Sequence, residues 1–373
     1  MIILGIETSC DETAASILEV KNERVTLLSN VISSQITLHA QWGGVVPNLA
    51  AREHLKNIMP VIETALKKSH KKPSDLDLIA ATNGPGLIPA LLIGTTTAKT
   101  LSYLWRVPLI GIHHIEGHIY ANFIGDKISS ISKKQISNFK KNSDNIQKLK
   151  STVINFPILA LVVSGGHTQL VLMEKHLSYE VIGETVDDAV GEAFDKVARI
   201  LGLGYPGGPA VAKLADTCAE ERKFQITLPR PMLKSNNLNF SFSGLKTAVL
   251  YATKKNPENL KDQNYISEMC QEFQSAIIDV LIAKTIRAAQ KYNPKTILLA
   301  GGVSANVALR EKLGQEVKKN LKNTVCFVPE LAYSLDNATM IAMAGYYRWK
   351  NLKDKKSLET TWQDMQTSAN LKM

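Results

Sequence analysis

Three histidines fall within six residues in the segment "LIGIHHIEGHIY", residues 109–120. If this segment is helical, His114 and His118 lie one turn apart and about 40° apart around the axis, so both imidazoles face the same side. Two histidines in this arrangement can bind a metal ion. The alternative is a helix whose histidines are buried or act as caps. His113 is about 100° from His114 and is not expected to join the pair.

The position of Glu116 argues against a zinc peptidase. Those enzymes use HExxH, in which the catalytic glutamate directly follows the first histidine. Glu116 instead comes two residues after His114, about 200° around a helix, and is expected to point away from the metal. A third ligand is still needed, and Asp336 in "YSLDNAT" is a candidate. Its local alternative is the N-cap of a final helix.

Three glycine-containing turns indicate a binding cleft. They are "SGGH" at 164–167, "PGGP" at 206–209 and "AGGVSAN" at 300–306. Glycine lets backbone N–H groups approach a phosphate closely, and a helix after "AGGVSAN" would direct its N-terminus at a ligand. One such turn alone could be only a tight turn, but three together favour a nucleotide cleft. The chain has no GxxxxGK[ST] motif and no GxGxxG opening a helix after its first strand, which excludes a P-loop and disfavours a dinucleotide fold.

The elements that must position these residues follow a repeated plan. Strands are predicted at 2–7 and 13–20 around the polar turn "ETSCDE", and again at 158–163 and 168–174 around "SGGH". Two similar hairpins, each opening one half of the chain, predict a duplicated α/β domain. Helices are predicted from Pro47, over 186–202, after 300–306 and after Asp336; a further strand is predicted within 76–86.

Length and composition exclude several classes of protein. At 373 residues two domains are expected, and no apolar run approaches the roughly 18 residues of a membrane span. The N-terminus has no basic leader, so a secretory signal is not expected there. The four cysteines, Cys10, Cys218, Cys270 and Cys326, form no CxxC pair and are expected to be free thiols in a reducing cytoplasm. Cys10 is either a reactive thiol or a small structural residue.

The formal net charge of +10 is concentrated in one region. Residues 127–150 hold seven lysines and one aspartate. This balance permits a nucleic-acid partner without requiring one. The block at 126–152 is predicted to be a surface insertion, either contacting nucleic acid through its lysines or solvated as a loop.

Taken together, several segments resemble the TsaD family of bacterial tRNA N6-adenosine threonylcarbamoyltransferases. They are "GIETSCDETAA", "QWGGVVPNLAAREH", "GPGLIPALLIG", "GIHHIEGHIYA", "LVVSGGHTQL", "DDAVGEAFDKVARILGLGYPGGP", "FSFSGLKTA", "AGGVSAN" and "YSLDNATMIA". The resemblance implies an actin-like α/β fold of two related domains with an interdomain nucleotide cleft, shared with sugar kinases and Hsp70. The expected divisions are an N-terminal lobe (1–125), a basic insertion (126–156), a C-terminal lobe (157–335), a final helix packing back on the N-terminal lobe (336–352) and a polar tail (353–373).

The resemblance also implies roles for individual residues. His114, His118 and Asp336 would hold one divalent ion, with Fe²⁺ expected first and Zn²⁺ as the alternative. Asp11 and Glu12 are the candidate acid–base or orienting carboxylates. The residues expected to bind the ligand are Val163, Ser164, Gly165, Gly166 and His167 around its phosphate and acyl part, Asp195 and Gly208 at the ribose, and Asn306 at the adenine. Ala212 departs from the pattern, since some relatives carry an acidic ribose contact there.

The implied activity is transfer of threonylcarbamoyl from threonylcarbamoyl-AMP to N6 of adenosine 37 in tRNAs reading codons that begin with A. The implied protein partners are TsaB and TsaE, with no membrane association. Two other functions remain open at this stage. An actin-like ATPase or sugar kinase would share the fold without needing the two-histidine site, and a non-catalytic scaffold of the modification complex would need no chemistry of its own.

Overall fold

The computed structural model describes residues 1–124, 154–219 and 221–373. The lysine-rich block predicted at 126–152 lies outside these residues. The described part forms two five-stranded sheets with helices packed around them. Among the described residues, no helix combines the length and the apolar character needed to cross a membrane.

The first sheet contains the predicted N-terminal hairpin. Its strands are β1 (Ile2–Glu7), β2 (Glu12–Lys21), β3 (Arg24–Ser34), β4 (Leu78–Gly84) and β5 (Leu109–His113). Their order is β3-β2-β1-β4-β5. The central strand β1 pairs antiparallel with β2 and parallel with β4. Because β1 is covered on both faces, its sequence is a continuous apolar run rather than an alternation.

The second sheet repeats this topology. Its strands are β6 (Ile158–Val163), β7 (Thr168–Lys175), β8 (Ser178–Glu184), β9 (Thr296–Ala300) and β10 (Val325–Phe327). The order β10-β9-β6-β7-β8 is the first order read from the other edge. The central strand β6 again pairs antiparallel with the next strand, β7, and parallel with β9. The predicted duplicated α/β fold is therefore confirmed.

The described residues of the first half form four helices. They are α1 (Ile36–Ala40), α2 (Pro47–Ser69), α3 (Ile88–Trp105) and α4 (His114–Tyr120). Pro47 occupies the first turn of α2, where a missing N–H costs nothing. Helix α4 follows β5 without a loop, and the side chain of His113 caps it by accepting a hydrogen bond from the Ile115 N–H.

Within the described residues, the second half contains more helices than the first. They are α5 (Val190–Ile200), α6 (Gly207–Ala215), α7 (Ser243–Lys255), α8 (Gln263–Tyr292), α9 (Val307–Asn320), α10 (Ala338–Asn351) and α11 (Thr361–Asp364). Short 3₁₀ turns lie at Pro73–Asp75, Ala121–Phe123, Pro257–Lys261, Gly302–Ala305, Leu331–Tyr333 and Lys356–Glu359.

The helix predicted over 186–202 is shorter than expected. Helix α5 begins only at Val190. The carboxylate of Asp187 accepts hydrogen bonds from the N–H groups of Phe242 and Ser243, at 2.8 and 3.2 Å, and so serves the first turn of α7. The Val186 N–H bonds to the Phe240 carbonyl at 2.9 Å. Both residues are hydrogen-bonded to partners distant in sequence, so the local periodicity of the sequence could not predict where the helix begins.

Helix α10 packs against the first sheet, although it follows the second in sequence. Its closest approaches require glycine. A Cβ on Gly5 would lie 2.2 Å from the Ala338 carbonyl oxygen, and a Cβ on Gly345 would lie 2.6 Å from the Ala80 Cβ. This packing brings the residues just before α10 to the cleft between the two halves.

The C-terminal segment, expected as a polar tail, packs against the first half. The Ser368 N–H bonds to the Asn83 carbonyl at 2.9 Å, and the Gly86 N–H bonds to the Ala369 carbonyl at 3.2 Å. The His113 ring bonds to the Leu371 carbonyl at 2.9 Å. These bonds hold the ends of β4 and β5, next to the candidate site.

Candidate functional site

Two histidines and one aspartate form a compact cluster. His114 begins α4, His118 follows one turn later, and Asp336 lies two residues before α10. One ligand atom from each lies within 4.8 Å of the others. Asp336 Oδ1 is 3.1 Å from His118 Nε2 and 3.5 Å from His114 Nε2. Ligands bonded at about 2.1 Å to a tetrahedral ion are separated by about 3.4 Å, so this cluster could hold a metal ion.

The hydrogen bonding of His118 fits a metal ligand. Its Nδ1 and Nε2 atoms are buried. Nδ1 has no hydrogen-bond partner among the described residues, and Nε2 lies 3.1 Å from Asp336 Oδ1 without the alignment of a hydrogen bond. A buried polar atom without a partner costs free energy, and most such atoms in proteins are satisfied. Coordination through Nε2 would satisfy one of the two. The residues present therefore fit a divalent ion.

The charges of the cluster favour binding a cation. Burial alone would lower the pKa of His114, but the carboxylates of Asp336 and Glu7 raise it to about 9. Burial would raise the pKa of Asp336, but His114 and His118 hold it at about 2. The carboxylate is therefore ionised. Because a metal needs the neutral imidazole, binding an ion here would release a proton from His114.

The structure decides between the alternatives left open for the neighbouring residues. Asn337, not Asp336, caps α10, because its side chain accepts a hydrogen bond from the Met340 N–H at 3.0 Å. Glu116 is fully buried and paired with Arg348, whose Nε lies 2.9 Å from both carboxylate oxygens. Glu116 therefore faces Arg348 rather than the cluster. The ring of His113 is engaged with the backbone on both nitrogens, so it does not join the cluster either.

Glu7 belongs to the site, although the sequence analysis did not select it. This residue ends β1 and is fully buried. Its Oε2 atom is 3.1 Å from His114 Nδ1 and accepts a hydrogen bond from the Thr82 hydroxyl at 2.6 Å. Burial alone would raise the pKa of Glu7, but the His114 ring and its hydrogen bond lower it. An acidic residue at the end of an otherwise apolar strand was the available signal.

A cavity of about 670 Å³ opens between the two halves of the molecule, beside this cluster. Most of the predicted residues line it: Asp11, Glu12, His114, Ser164, Gly165, Gly166, His167, Asp195, Gly208, Asn306 and Asp336. Other lining residues were not predicted, among them Cys10, Pro85, Gly86, Leu87, Asp216 and Gln274. The volume falls within the range of about 300–1,000 Å³ that is usual for small-molecule sites.

Val163 is the predicted ligand-binding residue that the structure does not bring to the cavity. It is fully buried, and its side chain belongs to the hydrophobic core beneath the second sheet. It ends β6, where the alternation of side chains directs it inward. Its carbonyl oxygen lies under Gly301, where a Cβ would approach to 2.4 Å.

The turn at 164–167 presents its backbone to the cavity. Gly165 and Gly166 are exposed, and an added Cβ on either would find no atom within 4 Å. Within residues 1–124, 154–219 and 221–373, no acceptor is bonded to the N–H of Gly165 or Gly166. Burial and the neighbouring histidines lower the pKa of His167 to about 4, so its ring is neutral. Such a turn can bind an anion through backbone donors.

Asp195 and Asn306 line the same cavity and already serve structural roles. Asp195 Oδ1 accepts the Gly207 N–H at 2.7 Å, which fixes the start of α6. Asn306 caps α9 by accepting the Leu309 N–H at 2.9 Å, and its Nδ2 donates to Gln274 at 2.7 Å. Each keeps further hydrogen-bonding capacity toward the cavity.

The candidate carboxylates lie where the turn between β1 and β2 ends: Asp11 is its last residue and Glu12 begins β2. Burial and the neighbouring Asp11 raise the pKa of Glu12 well above its usual range. The same two causes raise the pKa of Cys10. Because the thiolate is the reactive form, Cys10 stays protonated and is a poor nucleophile. This favours the structural interpretation of Cys10 over the reactive one.

The fold and the site together define an actin-like α/β protein with a cleft between two related halves and a candidate metal cluster at its edge. Two solved structures share this fold over almost the whole chain. HypF from T. kodakarensis gives a TM-score of 0.58 at 12% identity, over 96% of this chain and 48% of its own. Full-length HypF in a phosphate- and nucleotide-bound form gives 0.54 at 13%, over 95% and 47%. The chain thus spans about half of each HypF chain.

Sequence comparison identifies the family. The profile of TsaD, tRNA N6-adenosine threonylcarbamoyltransferase, matches residues 26–131 and 143–343. Relatives bearing that enzyme name are 49% identical over 345 residues in Bacillus subtilis, covering 92% of this chain and 90% of the relative. In Persephonella marina the identity is 47% over 353 residues, covering 94% and 91%. The chain belongs to the TsaD family of transferases.

Proposed function

We propose that this protein transfers a threonylcarbamoyl group from threonylcarbamoyl-AMP to N6 of adenosine 37 in tRNAs that read codons beginning with A. One observation carries the proposal beyond family membership. The His114–His118–Asp336 cluster and the backbone donors of Gly165 and Gly166 border the same cavity. A metal ligand set and an anion-binding turn on one cavity suit a donor that joins a phosphate to an acyl group.

The residues of the cleft have distinct tasks in this reaction. The N6 amine attacks the carbamoyl carbon, the new N–C bond forms, and the C–O bond to phosphate breaks so that AMP leaves. Asp11 or Glu12 accepts the proton that N6 loses. The N–H groups at 165 and 166 bind the negative charge of the phosphate or carbonyl oxygens. A bound ion would supply Lewis-acid polarisation of the donor.

We propose one divalent ion per chain, with Fe²⁺ as the first expectation and Zn²⁺ as the alternative. Two imidazoles and one carboxylate form the donor set of many non-haem Fe²⁺ sites and also of catalytic zinc sites. Elemental analysis of protein purified without added metal would separate the two. A stoichiometry far below one for every transition metal would contradict the metal site.

The activity is tested by reconstitution. The protein is supplied with threonylcarbamoyl-AMP, its partners and unmodified tRNA, and the digested tRNA is analysed for the modified nucleoside by mass spectrometry. We expect His118→Ala and Asp336→Ala to lose the product, because each removes a metal ligand. Asp364→Ala is the matched control, because Asp364 is exposed and lies in α11, away from the cleft. Normal product from both ligand variants would refute the metal role.

We further propose that TsaB and TsaE act with this chain. Support for a protein partner comes from apolar side chains exposed on α2 and α3, two helices that pack against each other. Leu55 is 67% exposed and Leu92 is 46% exposed, and Met59 and Ile88 lie one turn from them. Exposed apolar faces of this kind are typical of protein interfaces.

A charge substitution tests this interface. Leu55→Lys and Leu92→Lys should abolish co-purification with TsaB while the metal content stays unchanged. Tyr251→Lys is the matched control, because Tyr251 is 68% exposed on α7 in the other half. Unimpaired co-purification of both leucine variants would show that TsaB binds to another surface.

A tRNA substrate also implies that the protein works in the cytoplasm.

A further inference from the structure

The carboxylate of Glu7 occupies a closed polar pocket directly behind the metal cluster. Glu7 is fully buried, and its two oxygens accept hydrogen bonds from the Ser9 N–H, at 2.5 Å, and from the Thr82 hydroxyl, at 2.6 Å. The oxygen that binds Thr82 is also 3.1 Å from His114 Nδ1. Three groups from β4, α4 and the β1–β2 turn therefore converge on one side chain.

The hydrogen-bond chemistry of this pocket determines which nitrogen of His114 carries the proton. An ionised carboxylate only accepts hydrogen bonds, so His114 Nδ1 must donate and carry hydrogen. The lone pair of the neutral ring then resides on Nε2, the atom 3.5 Å from Asp336 Oδ1. This is the tautomer that a metal ion between His114, His118 and Asp336 requires.

We infer that Glu7 is a positioning residue that fixes the orientation and tautomer of His114 for metal binding. The inference rests on the metal centre proposed above. Ser9 is the competing partner, because its Oγ is also 3.1 Å from His114 Nδ1. A hydroxyl can either donate or accept, however, so Ser9 alone would permit both tautomers. Only the carboxylate excludes the wrong one.

The other histidine ligand lacks such support. His118 Nδ1 is buried and has no hydrogen-bond partner in the part of the chain that the structure describes. The protein therefore preorganises one imidazole through Glu7 and leaves the second to be oriented by packing and by the ion. Among the described residues, Glu7 is therefore the main side chain that orients a metal ligand without itself binding the ion.

Glu7→Gln tests the inference with little change in shape. The amide keeps one acceptor oxygen and replaces the other with a donor, which cannot satisfy both His114 and the Ser9 N–H. We expect the affinity for Co²⁺ or Zn²⁺, measured by competition with a chelator, to fall about 10- to 100-fold, as is usual when such an outer contact is lost. The ligand-field absorption spectrum of the Co²⁺ protein should change as well.

Two controls separate this role from general effects. Glu12→Gln makes the same exchange of a carboxyl for an amide in the same cleft without touching His114, so it controls for a general change in the cleft. Thr82→Val removes a donor to the same Glu7 oxygen but leaves the carboxylate in place. Both should bind the ion with nearly wild-type affinity. Loss of affinity in Glu12→Gln equal to that in Glu7→Gln would overturn the positioning role.

The remaining outcomes are distinguishable from failure of the proposed function. A wild-type protein that binds no transition metal would refute the metal centre itself. A wild-type protein that binds metal, with unchanged affinity in Glu7→Gln, would refute only the role of Glu7. If Glu7→Gln does not fold, ¹⁵N NMR of the zinc-loaded wild type decides. We expect His114 to coordinate through Nε2 with hydrogen on Nδ1, and coordination through Nδ1 would overturn the inference.

Discussion

The turn between β1 and β2 and the turn between β6 and β7 occupy equivalent positions in the two sheets. They contribute to the site differently. The first turn, residues 8–11 between β1 and β2, is packed into the protein. Its Ser9 carbonyl accepts a hydrogen bond from the Leu87 N–H at 2.8 Å, and its Cys10 carbonyl is hydrogen-bonded to the ring of His54 at 3.0 Å. The second turn, residues 164–167 between β6 and β7, has two glycines with open space around them.

This difference shows how a duplicated fold divides the work of one site. The packed turn fixes side chains, namely the candidate carboxylates Asp11 and Glu12 and, through Glu7, a metal ligand. The open turn offers its backbone to a ligand and needs no side chain at Gly165 or Gly166. Substitutions in the first turn are therefore expected to lower both activity and stability, whereas substitutions in the second turn should lower ligand binding alone.

The largest effect is expected at the open turn. Gly165→Val would fill the space that threonylcarbamoyl-AMP needs and keep its phosphate away from the N–H groups of residues 165 and 166. We therefore expect affinity for threonylcarbamoyl-AMP to fall by about 100-fold, the order of magnitude for losing one hydrogen-bond donor to such a charge. The urea midpoint should not change, because no protein atom lies within 4 Å of an added Cβ.

Calorimetric titration of the donor and urea unfolding provide the two measurements. Gly314→Val is the matched control, since Gly314 lies on α9 with equally open surroundings. A large loss of stability in Gly165→Val would show that the second turn is packed like the first.

A strong but different effect is expected at the packed turn. His54 is fully buried and bonds to the Cys10 carbonyl at 3.0 Å and the Thr13 hydroxyl at 2.7 Å. His54→Ala should lower the free energy of unfolding by about 2–4 kcal/mol, since it leaves a cavity and two unpaired groups.

Urea unfolding measures this change, and kcat should fall with it because Asp11 and Glu12 lose their support. Thr13→Val, which removes one of the two bonds, should cost only about 1 kcal/mol. Full activity and stability in His54→Ala would mean that other contacts hold this turn.

The smallest effect concerns the ionisation of Glu12. Burial and Asp11 raise its pKa, so between its usual value and the raised one the folded state binds the proton more tightly than the unfolded state. Stability is therefore lost as the pH rises through this window. Glu12→Gln should be slightly more stable than wild type at neutral pH.

The pH dependence of urea unfolding checks this sign, with Asp11→Asn as the neighbouring comparison. If Glu12 is also the base, the acidic limb of the pH–kcat profile should disappear in Glu12→Gln and persist in Asp11→Asn. An unchanged acidic limb in Glu12→Gln would assign the proton transfer to another group.

Much of the fold was predictable because local patterns are strong where elements are regular. The strands of both hairpins begin and end within a residue or so of the predicted positions, and α2 begins at Pro47 as expected. The predicted start of α5 was wrong, because Asp187 is hydrogen-bonded to the first turn of α7, about 55 residues away in the chain. The packing of the C-terminal segment was not predicted, because its contacts, such as the bond of Ser368 to Asn83 and that of Leu371 to His113, join residues far apart in the chain.

The candidate site was predictable to a similar degree. Residue types and spacing placed His114 and His118 on one helix face, and the glycine turns indicated a cleft. Val163 was assigned to the ligand, but the alternation of β6 directs its side chain into the core. Glu7 was overlooked because its role depends on its contact with His114, which is 107 residues away in the chain.

The sequence by itself determined the family, the duplicated plan and the pair of histidines, because these depend on local spacing and on segments that can be compared directly. Only the tertiary structure decided that Asp336 meets both rings, that Asn337 rather than Asp336 caps α10, and that Glu7 lies behind His114. The physical reason is that these contacts arise when α10 packs back on the first sheet and when strand ends converge. Distances between residues far apart in the chain are set by the packing of whole elements, not by local sequence pattern.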